Sequence, residues 1–154
     1  MPVRVFVLLL SLVIASSVAA CGASAAPSGS PAAVHLGVSS AWARAKPAGG
    51  TSAAYLTVTN GTSADDMLVG VAAPSVTSSA SLHETTTDAS GMTGMKHTDG
   101  VPIPAGKTVT LEPGGYHIML MDLTRELKVG DTVDLVLTFQ QAGPVNVTAE
   151  VRAN

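Results

Sequence analysis

The run YHIMLMD (residues 116–122) carries His117, Met119 and Met121, and HETTTDASGMTGMKH (residues 83–97) adds His83, Met92, Met95 and His97. A thioether is a soft, uncharged donor that favours Cu(I) over harder divalent ions. It needs no deprotonation, so protons do not compete for the sulfur as they do for a thiolate. Imidazole adds a stronger nitrogen donor that is available near neutral pH. In an extended strand, residues i and i+2 leave the same face, so His117 and Met119 can reach one ion together. Soft-metal binding is the chemistry that these residue types share.

Each residue also has a plainer role open to it. Met119 and Met121 alternate with Ile118 and Leu120, and methionine readily fills gaps in a core; Met121 fits that role better than a ligand's. His117 could serve as a hydrogen-bonded structural histidine. Met92 and His97 fit either solvated loop positions or auxiliary donors that pass metal inward. His35 is read as incidental.

The elements that must position these residues are short strands broken by turn signals. TSAAYLTVTN alternates and ends at Asn60-Gly61, a strong turn signal. VTSSASLHET alternates as well, with Leu82 on one side and His83 on the other. KTVTLE stops at PGG, YHIMLMDL follows, and TVDLVLTF and VNVTAEV close the chain. VPIPAG reads as a proline-marked connection. The longest stretch without a strand signal, TTTDASGMTGMKHTDG, reads as a functional loop holding Met92, Met95 and His97. No segment shows a helical repeat of ten or more residues. About eight strands at this spacing predict an antiparallel sandwich or Greek-key barrel.

Composition narrows the function. The 154 residues suit one ordinary domain, and the formal net charge is −3 with scattered basic residues, so there is no electrostatic footprint for nucleic acid. No nucleophile elbow, paired catalytic carboxylates or phosphate-binding glycine loop is present, which argues against an enzyme. Residues 1–20 have the character of a signal peptide, with Arg4 followed by a short apolar run. VAAC (residues 18–21) resembles the lipobox of bacterial lipoproteins, which implies that Cys21 is lipidated and becomes the first residue after cleavage. Residues 21–33, rich in Gly, Ala, Ser and Pro, form a tether with a reach of roughly 20 Å. The folded domain spans 34–154, and the expected location is extracytoplasmic, lipid-anchored to the cell membrane. A blue-copper site needs a cysteine thiolate beside its histidines, and Cys21 is the chain's sole cysteine, so electron transfer of that kind is disfavoured.

The ligand-type residues also occur at a characteristic spacing. His83, eleven residues, Met95, twenty-one residues, His117, one residue and Met119 resembles the signature of the periplasmic PCu(A)C copper chaperones. That signature has ten residues in its first interval. AWARAKPAGGTSAAYLTVTN, LHET, PIPAGKTVTLEPGGYHIMLM and LKVGDTVDLVLTFQQAG are similar to blocks of the same family, from about residue 37 to 151. The resemblance implies an all-β, cupredoxin-like antiparallel Greek-key sandwich or barrel. It further implies a site of His83, Met95, His117 and Met119 that binds Cu(I), with Cu(II) held through additional donors such as His97. The implied role is delivery to the CuA centre of a cytochrome c oxidase subunit, alone or with a Sco-type partner. The longer first interval leaves Met92 and Met95 as alternatives for the third position; the unchanged second interval favours Met95. The family's frequent methionine two places after the first histidine is replaced here by Thr85. A copper-sequestering resistance lipoprotein is the competing function, and a metal-free scaffold whose methionines only pack is the third.

Overall fold

The computed structural model describes residues 35–153, and the leader, the tether and Cys21 lie outside them. Ten strands follow in order: β1 (Leu36–Arg44), β2 (Ser52–Asn60), β3 (Asp66–Ala72), β4 (Ser79–Thr87), β5 (Thr93–His97), β6 (Val101–Ile103), β7 (Thr108–Leu111), β8 (Tyr116–Met121), β9 (Thr132–Phe139) and β10 (Gly143–Arg152). No helix occurs among the described residues. The hydrogen-bonded path runs β5-β4-β8-β2-β1-β10-β9-β3-β6, with β7 also on β2. β3 packs against β4, so the path curls back on itself around one core. All strand pairings are antiparallel except that of β1 with β10, which is parallel.

Alternation explains how the core forms. Val133, Leu135, Leu137 and Phe139 of β9 are buried and their neighbours face outward. In β8, Ile118 and Leu120 are fully buried, which turns His117, Met119 and Met121 to the opposite face. The core-filling reading of these methionines therefore fails on parity: the branched residues take the core face. Met121, expected in the core, is half-buried beyond Met119.

Two sequence expectations change in the structure. The predicted long loop is a hairpin: β4 continues to Thr87 and β5 returns from Thr93 to His97. Its turn is held by Asp88, whose carboxylate accepts the N–H groups of Ser90 and Met92 and the Ser90 hydroxyl. Polar, exposed strands carry little hydrophobic signal, so only the pairing with β4 reveals β5. β2 ends at Asn60, where the sequence places a turn, and the connection is longer than a two-residue hairpin. Asn60 is buried, donating to the carbonyls of Ala64 and Ile103 and accepting from the Thr62 N–H and hydroxyl, and so organises the longer connection to β3. The VPIPAG connection also contains a strand, β6, at the end of the path, where an edge tolerates Pro102.

The opposed roles of the two faces of β8 predict opposed costs. Leu120→Ala should lower unfolding free energy by about 2–5 kcal/mol. Met121→Ala should cost clearly less, as measured by urea denaturation; equal losses would show that Met121 belongs to the core after all.

Candidate metal centre

One face of three neighbouring strands gathers the histidines. His83 of β4 is the direct cross-strand partner of His117 on β8 and of His97 on edge strand β5. The His83 ring centroid lies 6.0 Å from that of His117 and 5.6 Å from that of His97. Met119 lies opposite Ser81, one step along the face from the histidine row. Met95 lies opposite Thr85, one step in the other direction. Met95, His117 and Met119 line a single open cavity of about 270 Å³, together with Tyr55 and Thr85. His83 is not part of that lining; it is the cross-strand partner of His117, which is. Among the described residues no three His, Cys, Asp or Glu side chains are grouped to hold a metal ion.

A hydrogen bond sets the tautomer of His117. His117 Nδ1 lies 3.0 Å from the Gly115 carbonyl, which can only accept, so the ring proton sits on Nδ1. Nε2 then carries the lone pair; it is buried and has no hydrogen-bond partner. His83 Nε2 meets the Ser81 hydroxyl at 3.1 Å, and its Nδ1 is likewise buried and unpartnered. Metal-binding histidines commonly use one nitrogen for the ion and anchor the ring through the other.

The local sequence produces that anchor. Glu112-Pro113-Gly114-Gly115 forms a turn closed by a hydrogen bond of 3.0 Å from the Gly115 N–H to the Glu112 carbonyl. Proline at the second position and Gly114 at φ 89° are what a type II turn requires. The turn delivers the Gly115 carbonyl to His117, and the same carbonyl accepts the Thr85 N–H at 3.1 Å.

Exposure divides the residues. His117 is only 3% exposed, whereas Met95 and Met92 are 68% and 69% exposed. Met92 sits in the β4–β5 turn and does not line the cavity, while Met95 does. His97 stands beside His83 but is open to solvent, with its Nδ1 3.9 Å from an Asp99 carboxylate oxygen.

Arg44, Lys46, Tyr55 and Ser81 contribute to this region, and sequence alone assigned them no role. Tyr55 is buried with its ring 6.5 Å from that of His117 and 4.5 Å from that of Trp42. Burial raises the Tyr55 pKa, and the nearby Arg44 charge offsets part of that rise. A bulge between Ser39 and Trp42, with Ser40 at φ 54°, brings Trp42 opposite Tyr55. No periodicity in the sequence marks that bulge.

The chain resembles solved structures of one type. It matches the apo PCuAC domain from PmoF1 with a TM-score of 0.66 and 28% identity, covering 77% of this chain and 94% of that one. The copper-bound PCuAC domain from PmoF2 matches at 0.64 and 28%, over 77% and 93%. The solution structure of CuI-DR1885 from Deinococcus radiodurans matches at 0.59 and 40%, over 87% and 84%. The fold is thus the cupredoxin-like β-sandwich of PCuAC domains. Residues 36–151 match the family described as "Putative lipoprotein LpqE-like", and the chain belongs to that family. A relative from Leifsonia xyli subsp. xyli, described as "Putative lipoprotein Lxx21020", is 39% identical over 95 residues. That match covers 62% of this chain and spans 57% of the relative's length.

The His83 pKa is lowered, first by burial and then by the neighbouring His117 and His97 charges. Its proton therefore binds the unfolded chain more readily than the folded one. The stability contributed by neutral His83 is complete above the ordinary histidine value of about 6.5 and is lost as pH falls through the lowered folded value. Urea denaturation of the apo protein should show stability declining over that window. His83→Gln should flatten the decline; an unchanged slope would place its origin elsewhere.

Proposed function

We propose that the protein is an extracytoplasmic Cu(I) chaperone, anchored by lipid at Cys21 after removal of residues 1–20 and reaching from the membrane on the 21–33 tether. Its β-domain, 34–154, carries the ion. His83, Met95, His117 and Met119 are the proposed ligands, with Met92 and His97 as auxiliary donors that also give Cu(II) a foothold. The ion is cargo, and no substrate bond is made or broken.

One observation carries the reading: two buried imidazole nitrogens, His83 Nδ1 and His117 Nε2, lack hydrogen-bond partners on a face that also presents Met95 and Met119. Leaving such groups unpaired costs about 1–3 kcal/mol each, and a soft cation would satisfy both. The copper-bound PmoF2 domain and CuI-DR1885, both similar to this chain, support the choice of metal. The lipoprotein descriptions of the family and of its relative support the anchor.

Delivery is favoured over storage by the placement of Met95. It belongs to an edge strand and is largely exposed, so it can exchange for an acceptor's ligand while the inner strands stay intact. The proposed recipient is the CuA centre of a cytochrome c oxidase subunit, reached directly or through a Sco-type protein. Storage is the alternative.

Competition against a Cu(I) chelator should show binding by the wild type. His117→Ala and Met119→Ala should each weaken it by more than the roughly 10–100-fold typical of losing a residue that merely orients a ligand. Met121→Ala should leave affinity unchanged. Equal affinities for wild type and Met119→Ala would remove Met119 from the site. X-ray absorption of the Cu(I) form should count both sulfur and nitrogen donors. Loaded protein should metallate an apo-CuA domain; retention of copper over hours would favour storage.

A further inference from the structure

The cavity that holds Met95, His117 and Met119 has a second character. Arg44 and Lys46 also line it, and no carboxylate does. This is notable in a chain with 11 acidic and 8 basic residues. The ion pairs formed among the described residues engage His97, Arg125, Lys128 and Arg152, but neither Arg44 nor Lys46. Arg152, the strand neighbour of Arg44, is matched by Glu150 at 3.1 Å. Arg44 is not matched. Its guanidinium lies over Tyr55, 5.4 Å from the ring centroid, and its Nε is buried without a hydrogen-bond partner.

Strand pairing and a side-chain hydrogen bond fix the backbone that carries this cation. The β1 bulge sets Trp42 opposite Tyr55 and Ala43 opposite Ala54, which brings Arg44 alongside the end of β2 that pairs with Met119. The buried Ser52 hydroxyl donates to the Arg44 carbonyl at 2.6 Å and fixes the backbone there. Lys46 is tied into the structure by a backbone bridge to Leu127. A planar guanidinium held over an aromatic ring at a cavity wall is suited to receive a carboxylate through paired hydrogen bonds.

We infer that Arg44 and Lys46 form a docking site for a carboxylate side chain of an acidic partner protein that exchanges cargo with this cavity. A partner that reaches Met95, His117 and Met119 through the cavity mouth must pass these two cations. Charge complementarity there would set orientation and speed of encounter more than the hold on the ion. The role as cargo exchange rests on the copper reading, whereas the carboxylate site itself does not.

The test uses the full chain without copper and hexaglutamate as probe, with hexalysine and acetate as comparisons. Hexaglutamate should bind, hexalysine should not, and binding should weaken as salt rises. Arg44→Gln with Lys46→Gln should weaken it about tenfold or more, as expected when charge-assisted contacts are lost. Lys46→Gln alone, which leaves the buried Tyr55 contact intact, should weaken it measurably. Lys107→Gln removes the same charge from the turn before β7 and should have little effect. An equal loss in Lys107→Gln would reduce the effect to overall charge and overturn the site. Displacement by acetate at the same carboxylate concentration would make it a small-anion pocket and overturn the docking role. Cu(I) affinity of the wild type and the variants is measured separately. If no variant or wild type binds Cu(I) while the hexaglutamate pattern holds, the copper reading fails and the carboxylate site stands. If Cu(I) binds and hexaglutamate does not, only the docking site fails.

Discussion

Two imidazole nitrogens closed off from solvent, with nothing to bond to, are the constraint on which the arrangement turns. Each ring is already committed at its other nitrogen, His117 to the Gly115 carbonyl and His83 to the Ser81 hydroxyl. Rotating either ring to relieve one nitrogen would leave the other unsatisfied. The His117 Nε2 lone pair is thus held ready for an electron-pair acceptor, and His83 Nδ1 is left unpartnered beside it, at a cost comparable to a lost hydrogen bond each. A domain with net stability of about 5–15 kcal/mol keeps such a feature only where something offsets it. The Pro113-Gly114 turn, which places the Gly115 carbonyl, belongs to this device as much as the rings do.

Around that pair the face grades from rigid to open. His117 is buried on an inner strand, His83 is half-buried on the next, and Met95 projects from the edge. On the proposed reading, nitrogen donors define where the ion sits and a sulfur at the margin governs access to it. Local opening of an edge strand exposes few apolar contacts and leaves the core undisturbed. The cations Arg44 and Lys46 line the same cavity from β1 and the residue stretch that follows it, on the side away from β5. On that reading, approach to the ion and recognition of what approaches fall on different strands.

Much of this was legible from residue types. Apolar alternation is clear in β9, and in β4 and β8 the residues Leu82, Ile118 and Leu120 mark the core face, so the strand content and the opposite facing of Leu82 and His83 follow directly. The type and spacing of His83, Met95, His117 and Met119 pointed to soft-metal chemistry and to the PCu(A)C resemblance. The same alternation left Met119 ambiguous, since a period of two says which residues share a face but not which face is inside. Ile118 and Leu120 decided it by filling the core. β5 escaped notice because an exposed polar strand has no hydrophobic pattern, and it is defined by its hydrogen bonds to β4.

What the sequence by itself determined was the all-β class and an inventory of donors suited to a soft ion, because periodicity and side-chain chemistry are local properties. Tertiary structure alone decided that His97, His83 and His117 form one row, that two of their nitrogens are left without partners, and that Arg44 lies beside Tyr55. Those facts depend on strand register, on a bulge in β1 and on the burial of particular atoms. Each arises from contacts between residues far apart in the chain, where no local pattern reaches.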